Sequence, residues 1–258
     1  MVRLIDTHTH LYDTSFTNDF DAIIGRVREC GVSEVILPAI DSTYHNQMVR
    51  CADALPGFAY PAIGLHPTSV KENWRDELEF VMETAMQQKF IAIGEIGIDG
   101  YWSKEYMKEQ LSVFKEQIEL AVKMNLPVIV HMRESVEEIF KVLDNCRHLP
   151  LRGIFHAYSG SFETYQRLKM YGDFMFGIGG VVTYKNSGLP EVVNKMSLEA
   201  IVLETDSPWL TPVPYRGNRN EPSYVKIVAE KVAEIKKISF DEVAERTTCN
   251  AKRMFNLN

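Results

Sequence analysis

Long apolar runs, clusters of basic residues and closely spaced cysteines are all missing from this chain. No run approaches the roughly 18 uninterrupted apolar residues that a membrane-spanning helix needs, which argues against a membrane protein. The formal net charge is −7 and no segment concentrates lysine or arginine, so a broad electrostatic surface for duplex nucleic acid is not expected. Neither a GxGxxG nor a P-loop motif is present, so the two common phosphate-binding loops are not indicated.

The four cysteines are far apart and include no CxxC pair. This spacing matches neither a compact disulfide framework nor a paired zinc site, so we expect four reduced thiols that act as small, buried apolar residues. The sequence begins without a basic stretch, a long apolar core and a small-residue cleavage site. We therefore expect a cytoplasmic protein.

Short apolar runs alternate with longer amphipathic stretches along the whole chain. This rhythm predicts parallel strands joined by crossover helices. Eight such units predict the α/β class and a (β/α)8 TIM-type barrel that forms one domain over residues 1–258. An open doubly wound sheet is the competing architecture, but it would not bring the polar strand ends to one point. The predicted strands are 3–10, 34–39, 59–65, 90–97, 127–132, 153–157, 174–179 and 200–205.

Helices are predicted between these strands, and the clearest is the periodic segment 105–125. The irregular stretch 212–222 is predicted as a long loop after the last strand. Ser239 and Glu242 form a capping box that predicts the start of a final helix over 239–255. The other predicted helices are 19–30, 44–54, 74–88, 135–146, 162–171, 188–196 and 222–237.

Polar side chains of the kinds that bind metals stand at the ends of many of these strands. In a TIM barrel the carboxyl ends of the strands form the active site, so these side chains should converge. His8 and His10 are one residue apart, and strand alternation would turn both rings to the same side. An isolated HxH pair would more often cap neighbouring helices, but coincidence is a poor explanation for the whole set. That set is His8, His10, Glu95, His131, His156 and Asp206.

Six ligands exceed the four that one tetrahedral ion uses. We therefore predict two divalent metal ions that share Glu95 as a bridging carboxylate. Imidazole and carboxylate donors suit Zn or Mn and, with a weaker imidazole preference, Mg.

Three further residues are candidates for the reaction itself. Asp206 could bind metal and also accept a proton from an attacking water. Glu204 shares the face of Asp206 by strand alternation and is predicted to have a supporting role, with packing as the alternative. His66 could hold substrate or offset charge, and the alternative is a cap for the turn that begins at Pro67.

Candidate substrate contacts lie in two loops. Arg216 and Arg219 could hold a phosphate because guanidinium groups pair well with its oxygens, although a solvated surface loop has the same composition. Tyr101 and the adjacent Trp102 could stack on a nucleobase, although such aromatics often simply cover a barrel rim. His45 and His148 lack ligand-like neighbours and are left out of the predicted site.

Taken together, these motifs resemble those of the TatD family of metal-dependent deoxyribonucleases in the amidohydrolase superfamily. The resemblance covers essentially the whole chain and keeps the order of the family's motifs. It implies that the six predicted ligands are the family's metal ligands and that His66 and Glu204 lie outside that set. The matching blocks are DTHTHL (6–11), GLHP (64–67), GEIGID (94–99), HMRES (131–135), FHAYSGS (155–161), ETDSPWL (204–210) and RGNRNEP (216–222).

Two positions depart from the family pattern. Gly100 separates the aspartate of the fourth motif from Tyr101, where the family often has an aromatic directly. Ala157 and Tyr158 follow His156, where a small polar or thiol residue and Phe are common. Both positions are expected at the pocket mouth, so they should affect substrate preference and leave the ligands intact.

The function expected from residues and resemblance is phosphodiester hydrolysis at a DNA end, in an exonuclease manner. A single strand suits a pocket in an acidic protein better than a long duplex does. A hydrolase of C–N bonds in a cyclic amide or nucleobase is one alternative, since fold does not fix function. A non-catalytic metal-binding protein is the other. No membrane partner is expected, and a monomer is compatible with the sequence.

Overall fold

A computed structural model describes residues 3–257, in which eight short parallel strands alternate with helices in the order of a (β/α)8 barrel. The predicted fold class is confirmed. The strands are β1 Leu4–Asp6, β2 Val32–Leu37, β3 Ala59–Pro61, β4 Ile93–Asp99, β5 Val128–Arg133, β6 Leu151–Phe155, β7 Gly172–Ile178 and β8 Ile201–Leu203.

Nine α-helices lie in the described part of the chain, and each predicted helix has a counterpart. The loop after β8 contains only a short 3-10 helix at Pro222–Tyr224, and the side chain of Ser239 accepts from the backbone N–H of Glu242 at the start of the last helix. The helices are α1 Phe20–Glu29, α2 Ser42–Ala54, α3 Trp74–Gln87, α4 Met107–Met124, α5 Val136–Asn145, α6 Phe162–Leu168, α7 Leu189–Lys195, α8 Val225–Lys236 and α9 Phe240–Phe255.

Two hydrogen-bonded seams close the strands into a barrel. Strands β1 to β3 form one parallel sheet and strands β4 to β8 form another. Between β3 and β4, the N–H of Gly94 donates to the carbonyl oxygen of Ile63 at 2.8 Å. Between β8 and β1, the N–H of Thr7 donates to the carbonyl oxygen of Leu203 at 3.0 Å. The backbone is therefore paired around the ring, and the barrel has no free edge at either seam.

An apolar layer fills the barrel interior and supports the polar residues above it. One residue from each strand or its flank joins this cluster, together with the end of α9. On three strands the residue two positions further on shares the inward face, so it lies directly above the layer. His131 lies above Ile129 of β5, His156 above Ile154 of β6 and Glu204 above Val202 of β8. The full layer is Ile5, Ile36, Ala62, Ala92, Ile129, Ile154, Met175 and Val202.

Some boundaries and environments differ from the sequence predictions. Strand β1 ends at Asp6 and β8 ends at Leu203, earlier than predicted, and Asp206 has a positive φ of 56° that turns the chain out of the extended conformation. Asp206 and Glu204 therefore do not share a face through strand alternation. All four cysteines are free as expected, but Cys249 is exposed and Cys30 only partly buried, so burial holds for two of the four.

No helix within residues 3–257 is long and apolar enough to cross a lipid bilayer.

Gly97 in β4 is a position where a side chain cannot fit. Its φ is +136°, and an added Cβ would lie 2.1 Å from the carbonyl oxygen of His131 on β5. We expect Gly97→Ala to lower the free energy of unfolding by about 2 kcal/mol or more, because both the backbone conformation and the spacing of the two strands would be strained. Urea denaturation measures this change.

Gly25→Ala is the matched control. Gly25 lies on the exposed side of α1, and an added Cβ would meet nothing within 4 Å. Alanine should raise the free energy of unfolding there by about 0.5–1 kcal/mol, because glycine is a poor helix former. If both substitutions changed the free energy of unfolding equally, the close approach of β5 at Gly97 would not be what excludes a side chain there.

Candidate active site

Glu95 is the centre of a cluster of histidines at the carboxyl ends of the strands. Its side chain is 2% exposed and its two carboxylate oxygens face different neighbours. Oε2 lies 3.1 Å from Nε2 of His8 and 3.9 Å from Nε2 of His10. Oε1 faces three other rings: Nε2 of His156 at 2.7 Å, Nδ1 of His131 at 2.9 Å and Nε2 of His66 at 3.1 Å.

Asp206 adds a second carboxylate on the Oε2 side of Glu95. Its Oδ1 lies 3.6 Å from Nε2 of His8 and 3.6 Å from Nε2 of His10. The positive φ of Asp206 directs the side chain back toward β1, where its own N–H donates to the carbonyl oxygen of His8 at 2.9 Å. The structure thus brings all six predicted ligands together, in two groups that share Glu95.

Hydrogen bonds on the far side of two rings orient their free nitrogens into the cluster. The hydroxyl of Tyr12 donates to the carbonyl oxygen of Pro38 at 2.6 Å, so it accepts from Nδ1 of His10 at 2.8 Å. This fixes the proton on Nδ1 and leaves the Nε2 lone pair facing Asp206 and Glu95. This lone pair faces two carboxylates at 3.6 and 3.9 Å and Nε2 of His8 at 3.3 Å, an arrangement that a cation among these groups would stabilise.

Asp99 has the same relation to His131. Its Oδ2 accepts from Nε2 of His131 at 2.8 Å, which turns Nδ1 of His131 toward Glu95. Its Oδ1 accepts from the backbone N–H groups of Tyr101 and Trp102, both at 2.9 Å. The sequence analysis missed Tyr12 and Asp99 as site residues. For Asp99 the signal was its position four residues after Glu95 on the same face of β4.

The pKa values of the cluster reflect its burial and its crowded charges. Burial and the charge of His156 lower the pKa of His8 to about 4. Burial alone would also lower the pKa of His156, but the carboxylate of Glu95 and then that of Glu204 raise it to about 10. The pKa of Glu95 lies well below its usual value, because His156, His66 and His8 outweigh the effect of burial. The site is therefore built to hold positive charge against ionised carboxylates.

Glu204 lies behind His156 and is fully buried. Its Oε1 is 3.8 Å from Nδ1 of His156 and accepts from the N–H of Ala157. Burial raises the pKa of Glu204 to about 8. Gly177 on β7 leaves the space for this side chain, since an added Cβ would lie 1.9 Å from Glu204 Oε2. Glu204 thus faces Nδ1 of His156 without a hydrogen bond between them, and its supporting role stays a prediction.

His66 forms the cap that was the alternative to a role with substrate, and the substrate role stays a prediction. Its Nδ1 accepts from the N–H of Thr68 at 3.1 Å and so caps the short 3-10 helix Pro67–Ser69. Its Nε2 points the other way, toward Glu95. The cap therefore holds the ring in the site.

A cavity of about 940 Å³ opens above the cluster. Arg216 and Trp102 line it, whereas Tyr101 stands behind Trp102 and stacks against Arg133. Arg219 lies outside the lining and pairs bidentately with Asp19, so its position gives no support to the phosphate contact expected of it.

Of the two departures from the family pattern, Gly100 is buried and does not line the cavity, contrary to the expectation, and the two residues after His156 behave differently. Ala157 lines the cavity, as expected of a residue at the pocket mouth. Tyr158 is 2% exposed and its hydroxyl donates to the carbonyl oxygen of Ser161, so it belongs to the core and not to the mouth.

The fold and the cluster define a class: a parallel barrel with a buried histidine and carboxylate site at its carboxyl end that could hold metal ions. Comparison with known proteins makes the assignment specific. The sequence pattern of the family described as TatD related DNase matches residues 5–256. The chain therefore belongs to the TatD family and is a metal-dependent hydrolase.

Individual relatives agree with this assignment. The chain is 38% identical over 256 residues to YabD of Bacillus subtilis strain 168, an uncharacterized metal-dependent hydrolase, with 99% of this chain and 100% of YabD covered. It is 29% identical to the 3'-5' ssDNA/RNA exonuclease TatD of Erwinia tasmaniensis, over 98% of this chain and 100% of that protein. The crystal structure of YJJV, a TatD homolog from Escherichia coli K12, superposes with a TM-score of 0.92 at 29% identity and covers 100% of this chain and 99% of YJJV.

Asp99→Asn tests the orientation of His131. Asparagine keeps an oxygen for the N–H groups of Tyr101 and Trp102, but it turns an NH2 group toward Nε2 of His131. Nε2 would then have to accept, and Nδ1 would carry the proton and lose its free lone pair. We expect a 10–100-fold weaker affinity for divalent metal, as is typical when a partner of a metal-binding histidine is removed. Isothermal titration calorimetry with Zn or Mn measures this affinity.

Thermal unfolding of the metal-free protein is the control, since the backbone contacts of residue 99 are retained. A variant with the parent's metal affinity would contradict the role given to Asp99.

Proposed function

We propose that this protein is a deoxyribonuclease that hydrolyses phosphodiester bonds at the end of a DNA strand, in an exonuclease manner, with two divalent metal ions. The observation that carries the proposal is the arrangement around Glu95, whose two oxygens face separate groups of imidazoles. A bridging carboxylate between two ions has this geometry. One set of donors would be His8, His10 and Glu95, with Asp206 beside them. The other set would be Glu95, His131 and His156.

The donor chemistry fits divalent ions. Imidazole nitrogens and carboxylate oxygens converge at this site. Among the described contacts of Glu95 and Asp206 there is no lysine or arginine that would neutralise the two carboxylates. When bound, such ions polarise a phosphoryl oxygen and lower the pKa of water. Mg, Mn and Zn are all compatible with these donors.

The protein's own residues supply the remaining chemistry. Burial would raise the pKa of Asp206, but the neighbouring imidazoles of His10, His8 and His156 lower it. Asp206 is thus ionised at neutral pH and able to accept a proton from a water that attacks phosphorus in line. His66, held by its cap, and Arg216 on the rim offset negative charge that develops on the phosphoryl group. Glu204 keeps His156 in position from behind.

A single strand is the preferred substrate. The Erwinia tasmaniensis relative is named as an exonuclease of single-stranded DNA and RNA. The cavity lies at the upper end of the volume range of small-ligand sites, and aromatic side chains at its mouth can stack on unpaired bases. A C–N hydrolase of cyclic amides would need no such aromatic and arginine rim, so the rim favours the nuclease.

Asp206→Asn is the direct test of the proton acceptor. The neutral amide cannot accept the proton, so kcat on an end-labelled single-stranded oligonucleotide should fall at least about 100-fold. The assay is a metal-dependence series with Mg, Mn and Zn, run beside a panel of cyclic amides. Chelation should abolish the parent's activity, and one of the three ions should restore it.

Asp173→Asn is the matched control, since Asp173 lies at the opposite end of the barrel at the start of β7 and pairs with Arg253. Amide hydrolysis without DNA cleavage would replace the nuclease proposal with the C–N hydrolase. A metal-loaded protein that hydrolyses neither class would favour the non-catalytic alternative.

Arg216 and Arg219 should now behave differently. Arg216 lines the cavity and has Tyr184 under its guanidinium at 4.4 Å, so Arg216→Ala should raise KM for the oligonucleotide several-fold with a smaller change in kcat. Arg219 bonds to Asp19 and to the carbonyl oxygen of Ser15, so Arg219→Ala should lower Tm and leave KM nearly unchanged. Steady-state kinetics and thermal unfolding separate the two outcomes. If only Arg219→Ala raised KM, Arg219 and not Arg216 would be the phosphate-binding residue.

A further inference from the structure

Arg133 is an exposed arginine at the cavity that the proposed reaction does not use. It ends β5, two residues after His131, and it lines the cavity. Its guanidinium carbon lies 3.8 Å from the ring centre of Tyr101 and 5.6 Å from that of Trp102. Trp102 is 69% exposed, so much of its ring surface is open to a ligand.

The guanidinium of Arg133 carries an unneutralised charge. No carboxylate among residues 3–257 lies within ion-pair distance of it, whereas Arg219 pairs with Asp19 and Arg26 pairs with Glu221. The cation–π contact with Tyr101 holds the guanidinium over the ring. The N–H groups along its edge then remain free for a planar, bidentate acceptor such as a phosphate.

Local backbone contacts hold this arrangement in place. The N–H of Gly100 donates to the carbonyl oxygen of Arg133 at 2.8 Å, and an added Cβ on Gly100 would lie 2.3 Å from the carbonyl oxygen of Glu134. Only glycine allows this approach of the loop after β4 to the end of β5. Asp99 anchors the same turn through the N–H groups of Tyr101 and Trp102. The glycine that departs from the family pattern thus brings Tyr101 over Arg133.

A similar unit comes from the loops after β7 and β8. Arg216 stacks over Tyr184 at 4.4 Å, and within the described residues it also lacks an ion-pair partner. Trp209 packs edge-on against His10 at 4.9 Å and is 47% exposed. All of these groups except Tyr101 border the same cavity as Glu95 and Asp206.

We propose that Arg133 binds a phosphate of the nucleotide strand next to the scissile linkage, while Trp102 stacks on the adjoining base. This assignment rests on the proposed function and deepens it: the substrate is a polynucleotide strand held on both sides of the cluster, and not a small phosphodiester that occupies the cluster alone. Arg133 is a substrate-binding residue, Tyr101 positions it, and Trp102 supplies the surface on which the base stacks.

Arg133→Ala is tested on substrates of decreasing length: a single-stranded DNA decamer, a dinucleotide and bis(4-nitrophenyl) phosphate. Loss of a charged phosphate contact should raise KM for the decamer about tenfold or more, with a much smaller change in kcat. The ratio of parent to variant kcat/KM should shrink as the strand shortens, because the small substrates do not reach Arg133. Trp102→Ala should show the same dependence on length.

Arg75→Ala is the matched control. Arg75 stacks over Trp74 at 4.4 Å in the same kind of contact, but it lies on α3 outside the cavity. Its removal should change no kinetic constant on any of the three substrates. An effect of Arg133→Ala that is equal on all three substrates, or no effect on the decamer, would overturn the assignment.

A second measurement separates this assignment from the proposed function. Fluorescence anisotropy of a labelled, hydrolysis-resistant phosphorothioate decamer with the metal-loaded protein reports strand binding with cleavage suppressed. If the parent cleaves no phosphodiester, the proposed function fails, and the assignment then depends on anisotropy alone. Binding that weakens about tenfold in Arg133→Ala but not in Arg75→Ala would support it. Equal affinities, or no binding by the parent, would refute it.

Discussion

The buried carboxylate of Glu95 is the constraint on which the rest of the site depends. A carboxylate that is 2% exposed has lost its hydration and must be compensated by charge or hydrogen bonds around both oxygens. Imidazoles provide these contacts, with His8 and His10 on one side and His66, His131 and His156 on the other. The division of the histidines into two groups follows from the two oxygens of a single side chain. Removal of this carboxylate would leave five imidazole rings facing each other without a common acceptor.

The barrel makes this concentration of polar groups possible through its inward-facing positions. Ile129, Ile154 and Val202 pack in the apolar layer, and the next inward residues on the same strands are His131, His156 and Glu204. The packed layer fixes the strands, and so it fixes the rings above it. Gly177 completes the arrangement on β7, because its missing side chain is the space that Glu204 fills. Apolar packing below and a glycine beside the cluster therefore determine where its polar atoms lie.

Strand periodicity was enough to predict the barrel and the six residues that converge, because ends of parallel strands meet wherever a barrel closes. It could not predict which oxygen faces which ring, since that depends on side-chain torsions and on partners such as Tyr12 and Asp99. The face of Asp206 was predicted wrongly because its left-handed backbone conformation breaks strand alternation. The arginines were the hardest case. The path of the loop after β8 decides that Arg219 reaches Asp19 while Arg216 reaches the cavity, and sequence composition does not contain that path.

The distribution of charge explains how an acidic chain can favour a polyanion. The net charge of −7 is repulsive at long range, but salt screens exposed charges beyond about 8–10 Å. Recognition then depends on groups within the cavity, where Glu95 and Asp206 belong to the floor, Arg133 extends from the end of β5 and Arg216 from the loop after β8. Cations bound by Glu95 and Asp206 would cancel the negative charge of these carboxylates. The two guanidinium groups would then give the cavity a net positive charge. A strand that places one phosphate over the floor and its neighbours against the arginines matches this pattern, whereas a long duplex would bring many more phosphates against the acidic surface outside it.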